Sequence, residues 1–417
     1  MFFINMLGLV CYNMILSNRA NQIPESPIRK LAQYGIEAKE RGIKIYHLNI
    51  GQLDLGPPKV AFEFLHKYEG PVIEYSHSQG EKEFLKSLVS YYHRLGHTDL
   101  KEDNFIATIG GSEAIHWAMI TVANPGDEFL VFEPFYTNYY SLGIMADVKL
   151  VPIQTKVEEG FHLPVKEKIV SKISSKTKGI IICNPNNPTG TVYTRQELET
   201  LYQICQEHNL YLLSDEVYRE FVYNDNQAIS ILTIEKEQSV DPSDSQVIVL
   251  DSFSKRYSLC GARVGLVCSR NQEIIKTMLR FGQARLSAVS VNMLMTAEVI
   301  KDDQEYLKEM ICEFAKRREV LINGLKNIPG AIFQEPEGAF YVTAKLPVQN
   351  AEAFAQWLLT DFNDNQETVM LAPAQGFYLT EGLGKEEVRI AYVLKSEDLE
   401  RAMEILGKAV IKWQEKS

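Results

Sequence analysis

Between about residues 105 and 270 the chain alternates short apolar runs with stretches in which apolar positions return every three or four residues. The runs are FIATIGG (105–111), EFLVF (128–132), KGIIICN (178–184), LYLLSDE (210–216), QVIVLDS (246–252) and GLVCS (265–269), all of strand length. IIIC and VIVL lack polar alternation, the pattern of a sheet covered on both faces. Between the runs, SEAIHWAMITVA (112–123) puts Ile115, Ala118, Met119 and Val122 on one face, and LETLYQICQEHN (198–209) does so with Leu198, Leu201, Tyr202 and Cys205; these are helical stripes. Thr194 and Glu197, just ahead of the second stretch, form a capping box. The alternation predicts an α/β fold with a mainly parallel central sheet and helices on both faces.

Beyond about residue 300 long charged helices give way to the mixed runs AIFQ (331–334), GAFYVTA (338–344) and VRIAYV (388–393), then to a last helix over 396–416. Near the start, Ser26-Pro27 supplies an N-cap and a proline at the first helical position, and IRKLAQYGIEAKERG stops at Gly42, so a helix of about 15 residues is predicted. The two chain ends together predict a smaller α+β domain, residues 14–60 and 310–417, beside a large domain of 61–309. The apolar leader 1–13 stays outside both. MFFINMLGLVCYNMIL falls short of the ~20 residues of a bilayer span and lacks the basic start and cleavage site of a signal peptide. It is expected to be an incidental extension, with Met14 as the initiator, and no membrane role is expected.

At 417 residues, 45% hydrophobic and 23% charged, the chain has an ordinary globular composition. Its net charge of -11 opposes a general nucleic-acid role. Six cysteines, Cys11, Cys183, Cys205, Cys260, Cys268 and Cys312, show no C-x-x-C spacing, so neither a metal site nor a disulfide framework is expected, and the cytoplasm is the simplest setting.

In open parallel sheets ligands bind at the carboxyl ends of the strands. Here those ends carry Gly110-Gly111-Ser112, NPNNPTG (184–190), Asp215-Glu216-Val217-Tyr218 and Ser252-Phe253-Ser254-Lys255. A lysine at a strand end can form a Schiff base with a carbonyl. Gly111-Ser112 opens a helix, whose N-terminus suits a phosphate. Ser252, Ser254 and Arg263 offer hydroxyls and a fixed charge to the same cup. Asp215 ends an apolar strand and needs a cationic or hydrogen-bonding partner, while Asn187 and Tyr218 can donate to a ring oxygen. Pyridoxal 5'-phosphate asks for this set. A nicotinamide site would need G-x-G-x-x-G after a strand, which is missing.

With LNIGQLDL, YSHSQG, GGSEAI, PGDEFLVFEPFYTNY, NPNNPTG, SDEVY, SFSKRYSLCGARVG and VRIAYV in order, the chain resembles the class I/II pyridoxal-phosphate-dependent aminotransferases of fold type I from about residue 26 onward. The resemblance implies that Lys255 carries the cofactor and shuttles the catalytic proton. It implies that Asp215 pairs with the ring nitrogen, that Asn187 and Tyr218 hold the ring oxygen, and that Gly111, Ser112, Ser252, Ser254 and Arg263 bind the phosphate. Tyr136 would stack on the ring. Tyr75 would reach the phosphate of a neighbouring subunit, which implies a homodimer with active sites at the subunit interface. Arg389 would take the substrate α-carboxylate, helped by Asn187 and the backbone at Gly51. His77 and His116 are given no catalytic part.

The implied activity moves an amino group from an L-amino acid to a 2-oxo acid, with 2-oxoglutarate as acceptor, in ping-pong fashion. An aspartate-like or broad specificity is expected, and a β- or γ-lyase or synthase of the same fold is the alternative. Arg285, in FGQARLSAVS, is the candidate for a second substrate carboxylate. Acidic-substrate relatives often carry a basic residue where this chain has Ser112, and many relatives have proline where it has Leu53.

Overall fold

The computed structural model describes residues 16–25, 27, 30–70, 72–224 and 227–416. The leader 1–13, the proposed initiator Met14 and the expected cap Ser26 lie outside the described residues. Seven strands form the main sheet in the spatial order Phe105–Thr108, Gly265–Cys268, Val247–Ser252, Tyr211–Asp215, Thr177–Cys183, Glu128–Glu133, Lys149–Gln154. All pairings are parallel except those of Gly265–Cys268, which runs antiparallel to both neighbours. All six apolar runs form strands of this sheet. The seventh, KLVPIQ, lies at the sheet edge, where the Pro152 inside it removes no ladder donor that a central strand would need; that proline hides it from a reading of apolar runs.

The continuous runs have a direct cause. Ile180 and Ile182 pack into one hydrophobic layer with Leu212, Val247 and Val249, while Ile181 packs into the opposite layer with Phe129, Leu213, Ile248 and Leu250. Alternate side chains of each strand thus enter different cores, so every position must be apolar. Gly111–Val122 packs on one of these faces through Ala114, Ile115, Ala118 and Met119. Arg195–His208 covers the other, starting at the Thr194–Glu197 capping box.

A third core draws on both chain ends. It includes Leu48, Phe340, Leu358, Ile390 and Leu406, and lies among a four-stranded antiparallel sheet (Ala372–Pro373, Glu387–Ala391, Tyr341–Lys345, Ile332–Phe333), the parallel pair Lys44–His47 and Glu367–Met370, and the helices Gln304–Lys326 and Ser396–Gln414. The N-terminal helix is shorter than expected. It covers Ala32–Glu40, with buried Leu31 at its N-cap, and Lys30 and Leu31 before it form a turn. It stops at Gly42, whose φ of +80° is open to glycine. Among the described residues no helix is long and apolar enough to cross a membrane.

Beneath the strand ends lies a buried ion network. Asp251 accepts from Arg256 at 3.1 and 2.9 Å and from Arg219 at 3.1 Å, and Arg219 also holds Glu216 at 2.8 Å. Glu220 pairs with Arg256 at 2.7 Å, and both Tyr91 and Tyr92 donate into or accept from the cluster. Burial opposes ionisation of Asp251, but Arg256 and Arg219 outweigh it and hold the carboxyl below its ordinary value. Removing one member leaves buried charge uncompensated, which costs about 3–5 kcal/mol. Asp251→Ala is therefore expected to lower the unfolding free energy measured in urea by that amount; a loss below about 1 kcal/mol would show that the network is replaceable by solvent.

Candidate active site

Lys255 sits on one helical turn, Phe253–Arg256, straight after the strand Val247–Ser252. The pattern of that turn sets its direction. Phe253 is buried against Phe84 and Tyr257, Arg256 is buried on Asp251, and Ser254 and Lys255 are left to face the cleft. Ser252 caps the turn by accepting from the Ser254 amide at 3.2 Å, and its hydroxyl donates to Ser254 Oγ at 2.9 Å.

Around Lys255 the cleft is lined by Gly111, Ser112, Tyr136, Asn187, Asp215, Tyr218, Ser252, Ser254 and Arg263. The structure thus brings these sequence-predicted residues to one place. Gly110 is N-cap of the helix Gly111–Val122, with φ of +75°, and a Cβ there would lie 2.4 Å from Arg263 Nη2. Only glycine lets the guanidinium close over that helix N-terminus. Arg263 bonds the carbonyls of Cys260 and Ile109 at 3.0 and 3.4 Å and has no carboxylate partner among the described residues. A fixed cation, two hydroxyls and a helix N-terminus converge with no anion of their own, and they fit a phosphate.

Asp215 forms a second pole. Its Oδ2 accepts from Tyr139 Oη at 2.7 Å and its Oδ1 from the Val217 amide at 3.4 Å, with no cation in contact among the described residues. Burial pushes its carboxyl up to about 6, and the Tyr139 hydrogen bond pulls the other way. A buried carboxylate without a counter-charge, facing the cleft, suits a protonated ring nitrogen. Pyridoxal phosphate therefore fits the residues present. Asn187 Nδ2 and Tyr218 Oη lie 3.4 Å apart. Tyr136 stands on the wall, its phenol pushed up to about 12 by burial and bonded by Asn138 at 2.9 Å.

The third pole is Arg389, only 2% exposed. Nη1 donates to Asn187 Oδ1 at 3.1 Å and Nη2 to the Asn49 carbonyl at 2.5 Å, Tyr341 covers the group at 4.5 Å, and Nε has no partner among the described residues. Burial lowers its pKa. No carboxylate pairs with it among the described residues, so an incoming one would complete a two-pronged contact. Gly51 is required beside it, since a Cβ would lie 1.7 Å from Tyr341 Oη.

Two predicted residues stand elsewhere. Arg285, expected at the substrate side chain, does not line the cleft of its own chain. It pairs with Glu113 at 2.5 Å and lies over Trp117 at 4.8 Å, because Glu113 would otherwise be a half-buried lone charge. Tyr75 is 79% exposed and does not line this cleft either. Conversely, Tyr139, Tyr341 and Cys260 belong to the site but were not picked out from the sequence. Tyr139 lies in the first turn of the helix Asn138–Ala146, just after Tyr136.

The aminotransferase class I and II family matches residues 43–406. An aspartate aminotransferase of Pyrococcus horikoshii is 29% identical over 401 residues, covering 95% of this chain and 97% of that one. Among solved structures, an alanine aminotransferase from Pyrococcus furiosus superposes with a TM-score of 0.86 at 28% identity, covering 95% of this chain and all of that one. The aspartate aminotransferase of Thermus thermophilus with maleate gives 0.82 at 26%, with the same coverage.

Asp215 makes the stability of the cofactor-free protein depend on pH. Its folded carboxyl, near 6 against an ordinary 3.8, favours the fold fully below about pH 4 and loses that contribution as pH rises through 6, about 3 kcal/mol in all. Asp215→Asn is expected to unfold at higher urea than the parent at pH 8 and at similar urea at pH 4. Equal shifts at both pH values would sink this account.

Proposed function

The chain belongs to the class I and II aminotransferase family and is an aminotransferase, and on that premise we propose that it binds pyridoxal phosphate in the cleft around Lys255 and moves amino groups between L-amino acids and 2-oxo acids. The observation that carries this reading is a single cleft with an unpaired buried carboxylate, Asp215, an unpaired buried guanidinium, Arg389, and the Lys255 amine.

The bound cofactor supplies an electron sink for the bond pair left on the substrate α-carbon. Everything else comes from the chain. Gly111, Ser112, Ser252, Ser254 and Arg263 hold the phosphate, Tyr136 covers the ring, and Asn187 and Tyr218 donate to the ring oxygen. Asp215 keeps the ring nitrogen protonated, and Tyr139 fixes the carboxylate that does so. Arg389, Asn187 and the Gly51 backbone grip the substrate α-carboxylate and so orient the bond to be broken. Lys255 Nζ would hold the cofactor and, as a free amine, would take the substrate α-proton and return it as a general acid. Burial of Arg389 strengthens its grip, because water does not screen it. The net charge of -11 does not oppose anionic substrates, since the positive groups act locally. An aspartate-like or broad range is in keeping with the names of the similar enzymes, and 2-oxoglutarate is the acceptor of this reading.

A homodimer is part of the same reading. Val72, Ile73, Tyr75, Leu286 and Val289 are exposed, and Ser290 bonds Ser76 at 2.6 Å and the Glu74 carbonyl at 3.0 Å, so the two segments form one apolar patch of the kind that marks an interface. Tyr75 then serves the partner's phosphate. Five described cysteines are unbridged, in keeping with a cytoplasmic setting.

Mixing the cofactor-loaded protein with an amino-acid panel is expected to convert the cofactor to its amine form, and 2-oxoglutarate to restore it. Ammonia or pyruvate released without an acceptor would identify a lyase instead. Lys255→Ala is expected to retain cofactor but lose turnover by roughly a thousandfold or more. Arg285→Ala should lower the unfolding midpoint and leave the preference between aspartate and alanine unchanged; a loss confined to aspartate would restore Arg285 as a substrate contact.

A further inference from the structure

Cys260 has no part in the roles above, yet it lines both the phosphate end of the cleft and the Arg389 end. Its position is defined by two hydrogen bonds. Lys255 Nζ donates toward Sγ at 3.9 Å, and Sγ donates to the Ser254 carbonyl at 3.0 Å. Lys255 Nζ also donates to the Gly51 carbonyl at 2.7 Å. The amine is thus held from two sides. One partner is a backbone oxygen on the segment that follows the strand Lys44–His47, and the other is a thiol on the segment that follows Lys255 itself.

The chemistry of these partners suits an amine that must let go. A carboxylate in this place would favour the protonated amine strongly and hold it back from bonding carbon. A thiol accepts and donates only weakly, so it can fix the direction of Nζ without tying up its proton. Its own S–H is occupied by the Ser254 carbonyl, which turns the sulfur lone pairs toward Lys255. Ser254 Oγ in turn meets Ser252 Oγ at 2.9 Å, so the contact runs from the amine into the phosphate-binding turn.

We propose that Cys260 is a positioning residue for Lys255: with the Gly51 carbonyl it forms the seat that the ε-amine occupies whenever it is not bonded to cofactor. The proposal rests on Lys255 being the reactive amine of the aminotransferase. During turnover the displaced amine returns to this seat, so its place between the two ends of the cleft is set by the protein and not searched for in each cycle.

The juxtaposition can be read chemically, without turnover. o-Phthalaldehyde joins an amine and a thiol that lie in contact into a fluorescent isoindole, with loss of two waters. Full-length protein freed of cofactor is expected to yield this product, with mass mapping placing the link between residues 255 and 260. The link should vanish in Cys260→Ala and in Lys255→Met, and added pyridoxal phosphate should block it by taking the amine. In the cofactor-loaded enzyme, Cys260→Ala should lower kcat about two- to tenfold, the range of one hydrogen bond, with KM for the amino acid unchanged, and Cys260→Ser should recover most of that loss. Absence of the 255–260 link in the parent protein overturns the proposal, as does a Cys260→Ser enzyme no faster than Cys260→Ala. If the link forms but no amino acid is transaminated, the seat stands and the functional reading fails, so the two failures are distinguishable.

Discussion

A single carboxylate, Asp251, flanked by Arg219 and Arg256, is the contact on which the rest of the site depends. It joins two strand ends that are far apart in sequence. Arg219 belongs to the turn that carries Asp215 and Tyr218, and Arg256 to the turn that carries Lys255. Ionic bonds buried this deeply are poor sources of net stability, but they are strongly directional, and a broken one is expensive. Their value here is geometric. With Arg256 and Phe253 committed to the interior, the neighbouring Lys255 has only the cleft to enter.

That foundation allows the cleft to hold charges that the protein does not itself neutralise. Asp215 and Arg389 are each buried beside neutral hydrogen-bond partners, Tyr139 in one case and Asn187 with a backbone carbonyl in the other. Burial weakens the charged form of each, as the directions of their pKa shifts record. In the function proposed above, ligands supply the missing counter-charges, a ring cation at one place and a carboxylate at the other. Binding free energy is thereby concentrated where the chemistry needs orientation. Arg285 follows the opposite course, since Glu113 already pairs with it inside the chain.

Much of this was legible in the primary structure. The uninterrupted apolar strands follow from a sheet buried on both faces, and the residues of the cup stand immediately after those strands, where a parallel sheet opens. Lys255, Asp215 and Asn187 could be named because their residue types and their places after strands carry the chemistry, and Arg263 because its charge lies in the segment that follows Lys255. Helix capping was equally readable: Thr194 and Glu197 form their reciprocal bonds as spaced. The shorter N-terminal helix and the proline-bearing edge strand escaped because local signals there are weak and neighbours decide.

What the amino-acid order determined alone was therefore periodicity, punctuation and the chemical inventory at strand ends, all properties of residues close together along the chain. What only the tertiary structure decided was pairing across long separations: Tyr139 on Asp215, Arg285 on Glu113, Gly51 under Tyr341, and Cys260 with Gly51 around the Lys255 amine. Each of these hinges on a few tenths of a nanometre between side chains on different elements. No periodicity encodes such a distance, because packing of the whole core fixes it.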